Sequence, residues 1–442
     1  MEFSTADEVY AYLDGYLNFE RKLEPTEYRL DRMQTLQRLF DWPDRSYRVI
    51  HVAGSKGKGS TATMIASILA ETEGPVGLYT SPHLLSFTER IAVDGKPVSN
   101  SILLASAMEL SNRFEGKKPD DFPGGETPTY FELLTLLGFL CFRRAGCTSV
   151  VVEVGLGGRL DSTNVVMPVA CAITSIELEH TDLLGDTIQK IAWEKAGIIK
   201  PGIPVFTSAS RLEALEVIRA RAAELNAPLF ELDIEARIEN CLTDARGTGA
   251  TIQWRDESFF RTPLDMRTPM IGQVQMRNAT LAAMVTRSLG CGEEAIINGL
   301  SKAKLRARFE IQTGSPTIIL DGAHTEDSIK ACVEDFRHIF PDGGNLLFGC
   351  AKGKPPRLMA AALRALFSEV IITRPGTFKE SDPQEIEAAF KAEGFTINRI
   401  DDTAVAIKKA MELAVLQGRP LLVTGSFYLC AEVASIIDRR NG

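Results

Sequence analysis

The sequence predicts an α/β protein of two domains, and three observations lead there. Strand-length apolar runs alternate with helical stretches through about residue 205, a second alternating series begins near residue 316, and a glycine-rich segment sits where an early strand turns into a helix. Continuous apolar strands mark a parallel sheet covered on both faces, because no residue of such a strand meets water. A chain of 442 residues is also too long for one ordinary core. The expected division is a larger domain, 1–297, with a mostly parallel sheet and a small β appendage, and a smaller Rossmann-like doubly wound domain, 298–442.

Taken in order, Glu8 to Phe40 reads as two amphipathic helical stretches, and Tyr47 to Val52 as a buried strand. Ser60 to Ala70 follows as a helix, with Gly54, Gly57 and Gly59 at the turn between strand and helix. Ser149 to Val154 and Val169 to Ser175 are apolar strands, and Ile191 to Ile199 ends a helix, with Gly197 as a left-handed stop and Lys195 in the last turn. Leu229 to Pro263 is more polar and alternates as antiparallel strands do; it is the expected appendage. The basic, poorly periodic Ser301 to Arg308 is the expected joint, placing cations at the mouth of an interdomain cleft. The second series then runs through strands at Thr317 to Leu320, Asn345 to Phe348, Glu369 to Thr373, Thr396 to Ile400 and Pro420 to Thr424.

Composition narrows the function class. With 45% hydrophobic and 24% charged residues the chain reads as a globular enzyme, and its longest apolar run, Leu133 to Phe142, is too short to span a bilayer. The start lacks the basic and apolar regions of a secretory signal. Eight cysteines without a Cys-x-x-Cys pair, mostly in apolar surroundings, read as reduced thiols of a cytoplasmic protein. A net charge of −9 argues against a broad nucleic-acid surface. An anionic substrate must therefore meet a local basic pocket.

The glycine-rich segment supplies one. In His51-Val-Ala-Gly-Ser-Lys-Gly-Lys-Gly-Ser-Thr61 the glycines let backbone N–H groups approach phosphate oxygens at a helix N-terminus. Lys58 supplies a point charge for the outer phosphates and Ser60 a hydroxyl for a metal. Only two residues separate Gly54 from Gly57, where the common P-loop has four between its first glycine and Gly-Lys-Ser/Thr. Glu153, at the end of an apolar strand and before Gly155-Leu-Gly-Gly158, lies where α/β sheets place ligands. It reads as a magnesium ligand or as a structural partner of Arg159. Thr80 to Ile91 carries four hydroxyls, Pro82 and His83 before Glu89-Arg90, and reads equally as a ligand loop or a capped turn. His180 reads as a helix cap or a metal ligand.

Together these segments resemble the folylpolyglutamate synthase/dihydrofolate synthase family of Mur ligases. The resemblance rests on the phosphate loop, Ser81-Pro-His-Leu84 with Glu89-Arg-Ile91, Thr129-Tyr-Phe-Glu132, Glu153 to Asn164, His180 to Gly185 and Glu194-Lys-Ala-Gly197, in family order. It implies an ATP-dependent ligase that joins a folate or dihydropteroate carboxylate to L-glutamate through an acyl phosphate, and a monomer. ATP would be gripped by Gly54, Ser55, Lys56, Gly57, Lys58, Gly59 and Ser60. Ser81 and Glu153 would bind one Mg2+ and His180 a second, with Lys195 carbamylated beside it. Pro82, His83, Thr129 and Phe131 would line the substrate pocket.

In the carboxy-terminal half the resemblance assigns Asn278 to adenine, Arg308 to the phosphates, Asp321 to the nucleotide and His324 to placing the incoming amino acid. Ser426 lies in the closing Gly-Ser segment. Departures cluster here: Val274, Leu305-Arg-Ala307, Thr325-Glu326 and Gly353-Lys-Pro355 replace the usual residues. In the larger domain Glu179 stands for aspartate, and Ser55-Lys56 for Thr-Asn. These changes leave open a ligase for another acid and amino acid, or an ATP-hydrolysing switch.

Overall fold

The computed structural model describes residues 2–18, 29–255, 259–376 and 379–441. The expected helical reading of Glu8 to Phe40 falls on Ala6–Asp14 and Leu30–Leu39; its middle, 19–28, lies outside the described residues. The chain divides into two compact units. One comprises Met1–Asn240, Ala250–Arg267 and Val274–Ala303, and the other Cys241–Gly249, Thr268–Gln273 and Lys304–Gly442.

The larger unit is built on an eight-stranded sheet. Its strands are β1 (Arg48–Ala53), β2 (Val76–Tyr79), β3 (Ile91–Val93), β4 (Lys96–Pro97), β5 (Ser149–Glu153), β6 (Ala170–Ile173), β7 (Val205–Thr207) and β8 (Leu229–Glu231), in the order β4-β3-β2-β5-β1-β6-β7-β8. From β2 to β8 every pairing is parallel, while β3 and β4 add an antiparallel edge. All five residues of β5 and all four of β6 are buried, which is why both read as unbroken apolar runs. The helix Tyr130–Arg144 packs its Leu133, Leu134, Leu137 and Phe142 into the core with Val150 and Val152 of β5.

Register aligns the strand ends. Val52 pairs with Glu153, and Ala53 with Ile173. The carboxyl ends of β5, β1 and β6 therefore lie side by side, and the segments leaving them form one rim.

The appendage departs from expectation at both ends. Leu229–Glu231 is the edge strand of the large sheet, and the separate antiparallel sheet consists of β9 (Ala236–Asp244), β10 (Gly247–Trp254) and β11 (Leu264–Thr268), in the order β11-β10-β9. Alternation alone does not say which sheet a short polar strand joins. Gly197 is also not a left-handed stop: its φ is −61°. Glycine is needed there because a Cβ would lie 2.4 Å from Cβ and 2.6 Å from Cα of Arg159.

The smaller unit holds a six-stranded sheet of β12 (Glu310–Gln312), β13 (Ile318–Leu320), β14 (Asn345–Phe348), β15 (Glu369–Ile372), β16 (Thr396–Arg399) and β17 (Leu421–Thr424), ordered β12-β13-β17-β14-β15-β16. All pairings are parallel except β12 with β13. Leu320 pairs with Val423, so the segments after β13 and β17 leave the sheet as neighbours. Among the described residues no helix is long and apolar enough to cross a membrane.

Candidate active site

The glycine-rich loop leaves β1 between two neighbours that leave no room for side chains. Gly54 has φ 143°, and a Cβ on it would fall 1.8 Å from Thr174 Oγ1. Gly57, the N-cap of the helix Lys58–Leu69, has φ 84°, and a Cβ there would lie 2.5 Å from Asn278 Oδ1. No side chain caps this helix, so its first-turn N–H groups keep the anion-binding capacity of a helix start. Lys58 Nζ folds back to donate to Gly54 O at 3.0 Å. Ser55 and Lys56 brace the loop against the segment after β6. Ser55 N–H donates to Ser175 O at 2.7 Å and its hydroxyl to Glu177 O at 3.1 Å, while Lys56 O accepts from Thr174 Oγ1 at 2.6 Å.

Gly54→Ala combines a disfavoured φ with overlap against a buried strand end, and is expected to cost about 2–3 kcal/mol of stability. Chemical denaturation checks this. Thr174→Ala removes the nearest of the crowding atoms, but Thr174 Cβ and N remain at 2.9 and 3.0 Å, so it is expected not to restore the variant.

Glu153 is 4% exposed and its Oε2 accepts the Ser81 N–H at 3.0 Å. The Arg159 alternative for Glu153 gives way to a different pairing: Arg159 binds Glu194 at 2.9 Å and stacks over Trp193. Ser81 and Glu153 are thus brought together beside the glycine-rich loop. His180 is exposed, with φ 45°, at the N-cap of the short helix Thr181–Leu184. Among the described residues no three His, Cys, Asp or Glu side chains cluster as a metal cage.

Lys195 is 1% exposed and donates to Gly54 O and to Glu179 Oε1, each at 2.8 Å. Burial, helped by the Lys58 charge and opposed by Glu179, pulls its pKa down to about 8. For Glu179, burial acts upward, but Lys195 and Lys58 outweigh it and hold the carboxyl below its ordinary value. Glu179 is therefore ionised at neutral pH and Lys195 mostly, not wholly, protonated.

Thr129, expected at the substrate pocket, caps the helix Tyr130–Arg144, its Oγ1 accepting the Glu132 N–H at 3.3 Å. The Phe131 ring lies on the turn after Glu153: a Cβ on Gly155 would sit 2.5 Å from Phe131 Cζ. His83 Nδ1 accepts from Arg90 Nε at 2.8 Å, and Pro82 precedes it in the same turn. The turn is capped by Glu89, whose carboxylate accepts the N–H groups of Leu84, Leu85 and Ser86.

In the smaller unit, the ends of β13 and β17 assemble a second group. Asp321 accepts the N–H of Phe309 and of Ala323, both at 2.8 Å. Burial raises its pKa against those bonds and the nearby Arg308. His324 Nδ1 meets Gly322 O at 2.8 Å; a carbonyl only accepts, so Nδ1 carries a proton and Nε2 is the basic nitrogen of the neutral ring. Ser426 Oγ accepts the Tyr428 N–H at 3.1 Å. The departure at Thr325 has a local reason: it caps the helix Glu326–Ile339 together with Ser328.

Several supporting residues escaped sequence reasoning. Arg32 Nε donates to both carboxylate oxygens of Glu132, at 2.9 and 2.8 Å, across 100 positions of sequence. His51 Nε2 reaches Thr163 Oγ1 at 2.9 Å, Thr163 donates to Asp161, and Asp161 accepts the Leu156 N–H at 2.8 Å. That relay braces the turn behind Glu153, with burial and Lys200 pulling the His51 pKa down to about 3. No local sequence pattern signals either arrangement.

Comparison with known proteins gives a consistent result. A model described as the Mur ligase middle domain matches residues 52–286, and one described as the Mur ligase, glutamate ligase domain matches residues 307–427. The dihydrofolate synthase/folylpolyglutamate synthase of Bacillus subtilis (strain 168) is 32% identical over 439 residues, covering 98% of this chain and 99% of that protein. Mycobacterium tuberculosis folylpolyglutamate synthase complexed with ADP and AMPPCP aligns at TM-score 0.87 and 27% identity, over 98% of both chains. An FPGS–AMPPCP–folate complex aligns at TM-score 0.80 and 29% identity, over 98% of this chain and all of the other.

Proposed function

The chain belongs to the folylpolyglutamate synthase/dihydrofolate synthase family of Mur ligases, ATP-dependent glutamate ligases, and from that premise we propose how its own residues divide the work. The carboxylate of a folate or dihydropteroate attacks the γ-phosphate of ATP, giving ADP and an acyl phosphate. The amine of L-glutamate then displaces phosphate and forms the amide. The observation that carries this reading is the shared rim of β5, β1 and β6. A helix N-terminus and a buried carboxylate leave this rim in adjoining segments, and the buried Lys195 reaches it through Gly54 O.

The backbone of Gly54 to Ser60 and Lys58 hold the phosphates, a task of positioning and electrostatics. Magnesium fits the donors beside them: one buried carboxylate, Glu153, with the hydroxyls of Ser81 and Ser60, is the sparse protein ligation this ion accepts when phosphates supply other oxygens. When bound, it neutralises charge on the outer phosphates. A second ion would draw on His180. Phe131 presents an aromatic face to the flat pteridine, with Thr129 beside it at the helix start and Pro82 and His83 in the neighbouring loop. Asn278 would meet adenine, and Arg308 and Asp321 would act on the nucleotide. His324 Nε2 takes the proton from the attacking ammonium, because Nδ1 is committed to Gly322 O. Ser426 would bind substrate.

The assay uses purified enzyme with ATP, magnesium, glutamate and either dihydropteroate or tetrahydrofolate. ADP release that requires both acid and amine, with an amide product by mass spectrometry, is expected. ADP released without either co-substrate overturns the ligase assignment, and product from one pteridine only fixes which acid is used. A cytosolic monomer is proposed as well, all eight cysteines being unpaired; a dimer on sedimentation would contradict that state.

Lys195 is proposed to be carbamylated. Only a neutral amine captures carbon dioxide, and a pKa of about 8 leaves the amine neutral in about a tenth of molecules at pH 7. At the ordinary lysine value the fraction is about three in ten thousand. Carbamate formation is therefore expected to rise from pH 6.5 to 8. In 13C-bicarbonate NMR with magnesium and an ATP analogue, a carbamate signal present in wild type and absent from Lys195→Ala is expected. Partial return of Lys195→Ala activity with short carboxylates is expected too, whereas full activity without additives removes the carbamate from the mechanism.

A further inference from the structure

Arg308 is flanked by two residues in the left-handed region: Ala307 has φ 55° and Phe309 has φ 48°. Neither is glycine, and such backbone persists only where its surroundings over-determine it. Here they do. Ala307 is fully buried, donates its N–H to Glu310 Oε2 at 2.9 Å and accepts the Gly322 N–H at 3.0 Å. The Phe309 N–H is held by Asp321 at 2.8 Å.

These bonds place the Arg308 Cα but not the guanidinium, which ends a long and flexible side chain. The charged end faces the Asp321 carboxylate electrostatically and makes two closer contacts. Nη1 approaches Ala307 O at 3.3 Å, and Cζ lies 5.3 Å from the centre of the Phe427 ring. Gly322 keeps this arrangement open: a Cβ there would come within 2.8 Å of the Phe427 ring and 3.1 Å of Arg308 Nη1. The ring is the first residue of the helix Phe427–Asn441 and follows β17, so its position is set by the sheet.

We propose that Phe427 is a positioning residue for the ligase reaction, holding the Arg308 guanidinium over its ring in the orientation that serves phosphoryl transfer. This rests on the reading that Arg308 acts on the transferring phosphoryl group. An aromatic face attracts a cation through its quadrupole, and attracts it more where water is excluded from one side. An aliphatic residue of similar size fills the space without that attraction. The chemistry of the ring, beyond its bulk, is therefore what turnover should sense.

The test is a double-mutant cycle on the full chain, with ATP as varied substrate and thermal melting alongside. Phe427→Leu is expected to lower kcat by about tenfold, the upper part of what a partly desolvated cation–ring contact supplies, with the KM for ATP moved less than about twofold. Phe427→Tyr keeps the ring and is expected to stay within about twofold of wild type. In an Arg308→Ala background, Phe427→Leu is expected to add no further loss. If Phe427→Leu folds poorly, Phe427→Met takes its place in the same cycle.

Equal losses in both backgrounds overturn the proposal, because a merely structural ring acts whether or not Arg308 is present. An idle Phe427→Leu beside an impaired Arg308→Ala also overturns it, while leaving the reading of Arg308 intact. An Arg308→Ala enzyme with wild-type turnover removes that reading itself and the proposal with it.

Discussion

Replacing Glu153 with glutamine is expected to lower kcat by a hundredfold to a thousandfold, the loss typical when a stabilising charge is taken from a reacting centre. The substitution is nearly isosteric. Its amide oxygen can still accept the Ser81 N–H that Glu153 accepts at 3.0 Å, so the turn after β2 keeps its anchor. What disappears is the negative charge on a side chain only 4% exposed. A magnesium ligand feels that loss directly, since hard cations bind carboxylate far better than amide. The discriminating measurement is kcat against magnesium concentration together with the melting temperature. A rightward shift in the magnesium dependence at unchanged melting supports the metal role. A large fall in melting temperature with unchanged magnesium dependence would instead make Glu153 a structural residue.

The second large effect falls on stability. Arg32 and Glu132 have side chains 5% and 4% exposed, and the single Arg32 Nε–H is shared between the two Glu132 oxygens, while Arg32 Nη1 reaches Glu126 at 2.9 Å. Arg32→Met keeps much of the volume but strands a buried carboxylate, and is expected to cost about 3–5 kcal/mol. The Thr129 N–H and hydroxyl still donate to Glu132, at 2.7 and 2.9 Å, which places the expectation toward the lower end. Pairing Arg32→Met with Glu132→Gln removes both charges and is expected to recover most of the loss. Urea denaturation of the two variants decides the matter: equal destabilisation of single and double variants would show that packing, and not the unpaired charge, sets the cost. Because Glu132 also fastens Thr129 at the start of its helix, the single variant is expected to weaken pteridine binding as well.

What was legible in the sequence was what is local. The buried runs of β5 and β6 announce themselves through consecutive apolar residues, and the glycines of the loop after β1 through their spacing. Glu153 stands out because a carboxylate at the end of an apolar strand demands a partner. Other features depend on residues far apart in the chain. Arg32 and Glu132 meet only after two helices pack, and the role of Gly54 needs Thr174, which register alone brings beside it. Gly197 illustrates the same limit: the residue type is right for a helix end, but the reason is the Arg159 backbone against it. Family resemblance supplied the assignments of Lys195 and Arg308 that physics in one dimension does not reach. The fold then adds the ion pair with Glu179 and the ring of Phe427.

In the proposed mechanism ATP activates a carboxylate as an acyl phosphate before glutamate attacks. Turnover of a pteridine acid carrying 18O in its reacting carboxylate tests this most directly, with the released inorganic phosphate read by mass spectrometry. One 18O atom in the phosphate for every amide formed is the expected result. Unlabelled phosphate alongside amide product would contradict the mechanism.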